Sequence, residues 1–98
     1  MANLKSSKKR IRQAIKRTAY NRYWRKTMKT AIKKARKAIM AGDLEEAKKL
    51  VWEAQRVIDK VAVKGVIHKR EAARRKSRIM GLLSKALKEQ EAQAAAEN

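Results

Sequence analysis

The chain has 98 residues, of which 28 are Lys or Arg and 9 are Asp or Glu, giving a net charge of +19. A chain this short has room for one small domain that buries roughly 60–65% of its unfolded surface, and without Cys it has neither a disulfide framework nor a thiolate metal site. Its start, Met-Ala-Asn-Leu-Lys, lacks a signal peptide's apolar stretch, and no run approaches the roughly 18 apolar residues of a spanning helix. The reading is an intracellular soluble protein.

The first forty residues contain fifteen Lys and Arg and no acid; the first acid is Asp43. Internal ion pairs cannot neutralise such a block, and its self-repulsion opposes compaction until a polyanion supplies counter-charge. Apolar positions recur by threes and fours: Ile11, Ala14/Ile15, Ala19, Tyr20, Trp24, Met28, Ala31/Ile32, Ala35 and Ala38/Ile39. This predicts one helix over about 7–40. At 1.5 Å per residue it would be about 50 Å long, too long for partners of ordinary length to cover. Its N-terminal half is therefore expected to project. Ala41-Gly42-Asp43 ends it, with Gly42 left-handed, Asp43 as the next N-cap and Glu46 completing a variant of the capping box.

A second helix over about 44–64 carries Ala47, Leu50/Val51, Ala54, Val57/Ile58 and Val61 on one face. Its charges nearly balance, Glu45–Lys49 and Glu53–Arg56 are spaced for surface pairs, and Trp52 is expected to cap the edge of the core. Lys64-Gly65-Val66 closes it. A third helix over about 69–90 has a late core stripe, Ile79, Leu82/Leu83 and Ala86/Leu87, after a first half clad in Lys69, Arg70, Arg74, Arg75, Lys76 and Arg78. Gly81 reads as tolerated or as a close-packing contact. The Ala-rich tail, 91–98, is expected to fray.

Three helices joined by short turns predict an all-α fold: a single domain over 1–98, an antiparallel three-helix bundle with a long projecting N-terminal helix. In that topology the basic half of the third helix and the basic arm of the first merge into one surface. The second helix's balanced face lies on the other side.

Phosphate neutralisation needs many long cationic side chains, and these elements supply them. Tyr20, Tyr23 and Trp24 lie among Arg22, Arg25 and Lys26, where aromatics either stack on unpaired bases or, spaced four apart with Met28, form a core seam. Core is favoured for Trp24 and contact for Tyr23. His68, the only histidine, packs in the turn, caps the third helix or donates to a phosphate. No Gly-rich phosphate loop, paired acids or Cys point to catalysis, a metal or a cofactor.

The opening Met-Ala-Asn-Leu-Lys-Ser-Ser-Lys-Lys-Arg closely resembles the start of the bacterial small-subunit ribosomal protein S20 family. The match continues through Asn21, Arg25 and Lys29-Thr30-x-Ile32-Lys33-Lys34, and resumes at Ala41-Gly42-Asp43. It is strongest over Ile58-Asp59-Lys60-x-Ala62-x-Lys64-Gly65-x-Ile67-His68-Lys69 and Ala72-Ala73-Arg74-Arg75-Lys76-Ser77-Arg78, and reaches about Leu87. The resemblance implies a three-helix bundle of the small ribosomal subunit, in the cytoplasm, that binds 16S ribosomal RNA directly and early in assembly. It implies RNA contacts at Asn3, Lys5, Lys8, Lys9, Arg10, Asn21, Arg25, Lys33, Lys34, His68, Lys69, Arg74, Arg75, Lys76 and Arg78. The charge pattern adds Arg12, Lys16, Arg17 and Lys29. Arg70-Glu71 departs from the family pattern, so no contact is carried to Glu71; Lys26 replaces a common Ser.

The same charge would serve a DNA-compacting, histone-like protein, but no dimer-forming apolar surface is left over. A cationic membrane-surface protein would need broad apolar faces, whereas the first helix before Met28 is charged nearly all round. No membrane, small-molecule substrate or homo-oligomer is therefore expected as a partner.

Overall fold

The computed structural model describes the backbone of residues 2–97 and the side chains of residues 4–96. Over these residues the chain forms three α-helices, α1 Ala2–Ala41, α2 Leu44–Val63 and α3 Lys69–Glu97, in an antiparallel arrangement. α1 begins five residues before the expected Ser7, because no Gly or Pro interrupts Ala2–Ser6. α3 runs on to Glu97 through most of the segment expected to fray, because residues 91–97 are Ala, Gln and Glu, all strong helix formers; Asn98 lies outside the described residues.

α2 is the hub. Its buried residues Leu44, Ala47, Val51, Ala54, Ile58 and Val61 recur by threes and fours, one apolar stripe against which both other helices pack. Two adjoining clusters result. Around the α1–α2 turn, Ala35 of α1 and Ile79 and Leu83 of α3 close on Leu44, Ala47, Val51 and Ala54. At the opposite end Met28, Ile58, Val61, Val66, Ile67 and Ala72 form the second, with Trp24 and Val57 at its border. Ile32 packs against both. The core thus spans α1 only from Trp24 onwards.

The remainder of α1 extends beyond its partners at one end, and α3 after Leu87 extends beyond the bundle at the other. The molecule measures 81 × 21 × 14 Å with a radius of gyration of 19.7 Å, against about 13 Å for a compact domain of this length.

The expected single stripe on α1 is in fact two. Residues four apart advance 40° around a helix, so the run from Ile11 to Trp24 drifts off one face. Tyr20, Trp24 and Met28 turn toward α2, whereas Ile11 and Ile15 are 59% and 63% exposed. Trp52 does not cap the core: it is 66% exposed. Gly81 is no packing contact either, for a side chain there would meet open space.

The helix ends follow their expected chemistry. Gly42 and Gly65 have φ of 82° and 77°, the left-handed region that glycine enters without a Cβ clash. At the end of α2, Gly65 N–H donates to the Ala62 carbonyl at 3.0 Å and Val66 N–H to that of Val61 at 3.2 Å. This is the Schellman pair of bonds, and Val61 and Val66 are buried in the same cluster. The Asp43 carboxylate accepts from Glu46 N–H at 3.4 Å and so caps α2. Among the described residues the acid–base pair on α2 is Glu45–Lys48, 3.8 Å, in place of Glu45–Lys49 and Glu53–Arg56.

Two glycine substitutions should move stability in opposite directions. Gly65→Ala, with φ at 77°, should cost about 1–2 kcal/mol. Gly81→Ala, within regular α3 and facing open space, should stabilise by about 0.5–1 kcal/mol. Ile58→Ala, at a fully buried site, should cost about 2–5 kcal/mol. Urea unfolding of the three variants checks all three values.

Candidate nucleic-acid interface

On the projecting part of α1, Lys5, Lys8, Lys9, Arg10, Arg12, Lys16 and Arg17 are all exposed. Lys5, Lys9, Arg12 and Lys16 follow at intervals of four, three and four, so they form one row along the helix. With Lys8 and Gln13 they line a shallow depression. Arg10 and Arg17, seven apart, form a second row. The side chain of Asn3 lies outside the described residues.

Nearer the bundle, Asn21, Arg25, Lys29 and Lys33 line a second depression together with Arg22, Lys26, Thr18 and Thr30. Arg22 and Lys26 were not among the sequence candidates; the interval pattern 22–26–29–33 is the signal that marks them. Arg25 also has a local duty, since its Nη2 donates to the Val66 carbonyl at 3.4 Å, tying α1 to the α2–α3 turn. Lys34 lies apart, on the flank of α1 that faces Leu50, Glu53 and Val57 of α2. The flank carrying Arg25, Lys29 and Lys33 is therefore the one directed away from α2.

In α3 the expected bases divide. Lys69, Arg74 and Arg78 are exposed. Arg75 and Lys76 are half-buried and paired: Arg75 Nη2 lies 3.0 Å from Glu71 Oε1, and Lys76 Nζ 3.0 Å from Asp59 Oδ1 of α2. At 100° per residue, Arg74 and Arg78 lie on the side of α3 opposite Lys76, and so away from α2. α1 and α3 each turn an exposed basic flank away from α2, and the contact of Arg25 with Val66 brings the start of α3 beside the root of the arm. His68 caps α3: its Nδ1 accepts from Arg70 N–H at 3.1 Å, which leaves Nε2 as the donor of the neutral ring.

Among the described residues, no ion pair involves α1. Its aromatics instead meet one another and cations from the end of α2. Trp24 meets Tyr20 and Tyr23 edge-on, with centroids 6.3 and 5.2 Å away. From the end of α2, Lys64 Nζ lies 4.6 Å and Lys60 Nζ 5.2 Å from its ring centre. Such contacts are attractive because the ring face is electron-rich. Trp24 is thus part of the core border, while Tyr23 is 63% exposed. The described residues hold no group of three or more His, Cys, Asp or Glu arranged to bind a metal, and none of their helices is long and apolar enough to cross a membrane.

Over most of its length the chain is similar to known proteins. The family model described as ribosomal protein S20 matches residues 2–84. Small ribosomal subunit protein bS20 of Coprothermobacter proteolyticus is 66% identical over 84 residues, covering 86% of this chain and 96% of that protein. The bS20 of Caldicellulosiruptor saccharolyticus is 51% identical over 85 residues, 87% of this chain and 86% of its own. That of Aquifex aeolicus is 49% identical over 94 residues, 96% and 100% respectively.

The two tryptophans should respond oppositely to truncation. Trp24→Ala removes a ring that borders the core and carries two cations, and should destabilise the fold by about 2–4 kcal/mol. Trp52→Ala should change stability by no more than about 0.5 kcal/mol. Thermal unfolding followed by circular dichroism distinguishes them.

Proposed function

The chain belongs to the ribosomal protein S20 family and is a structural, non-enzymatic protein of the small ribosomal subunit, working in the cytoplasm as part of the ribosome; from that premise we propose that it binds 16S ribosomal RNA directly and stabilises the RNA fold during assembly. The observation that carries the proposal is the distribution of charge. The bases of α1 are exposed and without ion pairs among the described residues, and on α3 Arg74 and Arg78 are exposed on the flank away from α2, while Lys69 lies exposed on the α2 side beside Asp59 and Val63.

In this reading the arm row (Lys5, Lys9, Arg12, Lys16), with Lys8, Arg10 and Arg17 beside it, tracks the phosphate backbone. Arg25, Lys29 and Lys33 of α1 and Lys69, Arg74 and Arg78 of α3 take phosphates around the bundle, with Lys34 on the α2 side of α1. Asn3 and Asn21 add amide hydrogen bonds, and His68 donates through Nε2. Arg75 and Lys76 join by exchanging a carboxylate partner for phosphate. The protein acts as a single domain and a single copy: a charge of +19 opposes self-association.

Deleting Ala2–Arg12 should leave the melting temperature of the free protein unchanged or slightly higher, because none of its described side chains, Leu4–Arg12, belongs to the core and the loss of its bases lowers self-repulsion. Affinity for 16S ribosomal RNA should fall at least tenfold, or about 1.4 kcal/mol. Thermal melting and filter binding on the one variant check both. An early melt would make the arm structural; full affinity with an unchanged salt dependence would make it a bystander.

Replacing Arg74 and Arg78 by Gln should lower the slope of log affinity against log salt by about 0.7–0.9 per lost phosphate contact without changing stability. The same binding assay over a salt series measures the slope. Normal binding by this variant would exclude α3 from the interface.

A further inference from the structure

The surface of α1 is not uniform in what it can bind. The depressions along the arm and along Arg22–Lys33 are lined by the side chains of Lys, Arg, Thr, Asn and Gln, with no acidic and no apolar residue. They suit phosphates. The groove between α1 and α2 differs: Ala31, Leu50 and Val57 provide apolar surface, Tyr23, Lys26 and Lys34 line it from α1, and Glu53 lines it from α2. A carboxylate repels phosphate, so this groove is not built for the RNA backbone. Its volume, about 610 Å³, lies in the range of small-ligand sites.

Resting on the reading that the chain binds 16S ribosomal RNA, we infer that the α1–α2 groove takes one unpaired nucleobase of that RNA, stacked on Tyr23 and donating hydrogen bonds from its edge to Glu53. Three observations converge. Tyr23 keeps 63% of its surface exposed although its neighbour Trp24 fixes it edge-on at 5.2 Å, so the ring is both held and open to stacking. Thr27, which also lines the groove, donates its hydroxyl to the Tyr23 carbonyl at 2.9 Å, so that hydroxyl is satisfied within α1. Lys26 and Thr30 line both this groove and the all-basic depression beside it.

An RNA strand crossing the outer ridge of α1 at Lys26 therefore keeps its phosphates on the basic side and turns a base over the ridge into the groove, with Lys34 placed for the next phosphate. Unpaired bases are the part of RNA that proteins read by stacking and by edge hydrogen bonds. Every base except uracil carries an amino group to offer Glu53. A protein helix docked in the same groove is the competing occupant, and it gives a different outcome.

The test is binding of 16S ribosomal RNA by the full chain, with base-directed chemical probing of the RNA. Tyr23→Ala should weaken binding about tenfold with an unchanged salt slope, because no phosphate contact is lost, and Tyr23→Phe should bind normally. Glu53→Gln removes a negative charge, so long-range electrostatics alone would strengthen binding; exchange of a charge-assisted acceptor for a neutral amide, with an NH2 donor in place of one oxygen, should instead weaken it. One nucleotide that is reactive in free RNA should be protected by the unaltered chain and by Tyr23→Phe, and exposed with Tyr23→Ala. Full affinity and an identical protection pattern for Tyr23→Ala and Glu53→Gln would overturn the inference and leave the groove to a protein partner. Failure of the unaltered chain to bind would instead sink the RNA-binding reading itself, and this inference with it.

Discussion

Everything in this molecule hangs on the apolar stripe of α2. A helix with fifteen bases and no acid and a second basic helix repel each other, and neither carries a core stripe along its whole length. α2 resolves this because its twenty residues hold four acids and four bases and an unbroken line of small and branched residues. Close approach is possible because Ala47 and Ala54 of α2 and Ala35 of α1 are completely buried. The apolar contact thus sits where the local charge is lowest, and the excess positive charge is displaced to the flanks and to the overhanging arm.

The same economy governs the few polar contacts of the core region. Asp59 and Glu71 neutralise Lys76 and Arg75, the two half-buried bases of α3, whose heads are costly to hold near the core without a partner. Where no acid is at hand, Trp24 accepts Lys60 and Lys64 on its ring. The arm, which buries nothing against the bundle, has no such partner among the described residues and stays available to an external polyanion.

Division of labour follows along α1. From Trp24 to Ile39 the helix has one flank toward α2, one basic flank away from it, and a ridge between them occupied by Lys26 and Thr30. Before Tyr20 the neighbours are gone, and the helix presents its basic rows alone. Continuity of one helix through both regions is what gives the rows a fixed register relative to the basic flank of α3, so that arm and bundle offer one extended surface rather than a tail and a knob.

Much of this was legible in the residues. Helix number, the turns at Gly42 and Gly65, the Asp43 cap and the α2 stripe are local properties, set by spacing and by conformations that only glycine adopts easily. The location of the basic rows follows from the same periodicity. What needed the tertiary structure is which flank meets which neighbour. Ile11 and Trp24 read as one stripe because four-residue steps look alike in sequence, yet each step turns 40° and only packing against α2 reveals which end of the drift is covered. Trp52 reads as a core edge but lies on a flank that no other helix reaches. Arg74, Arg75 and Lys76 are consecutive bases: the four-residue spacing within α3 pairs Arg75 with Glu71, but only the packing of α3 on α2 gives Lys76 its partner Asp59 and leaves Arg74 exposed. Sequence specifies the helices and their charge; the angle at which they meet decides which charges remain exposed and unpaired.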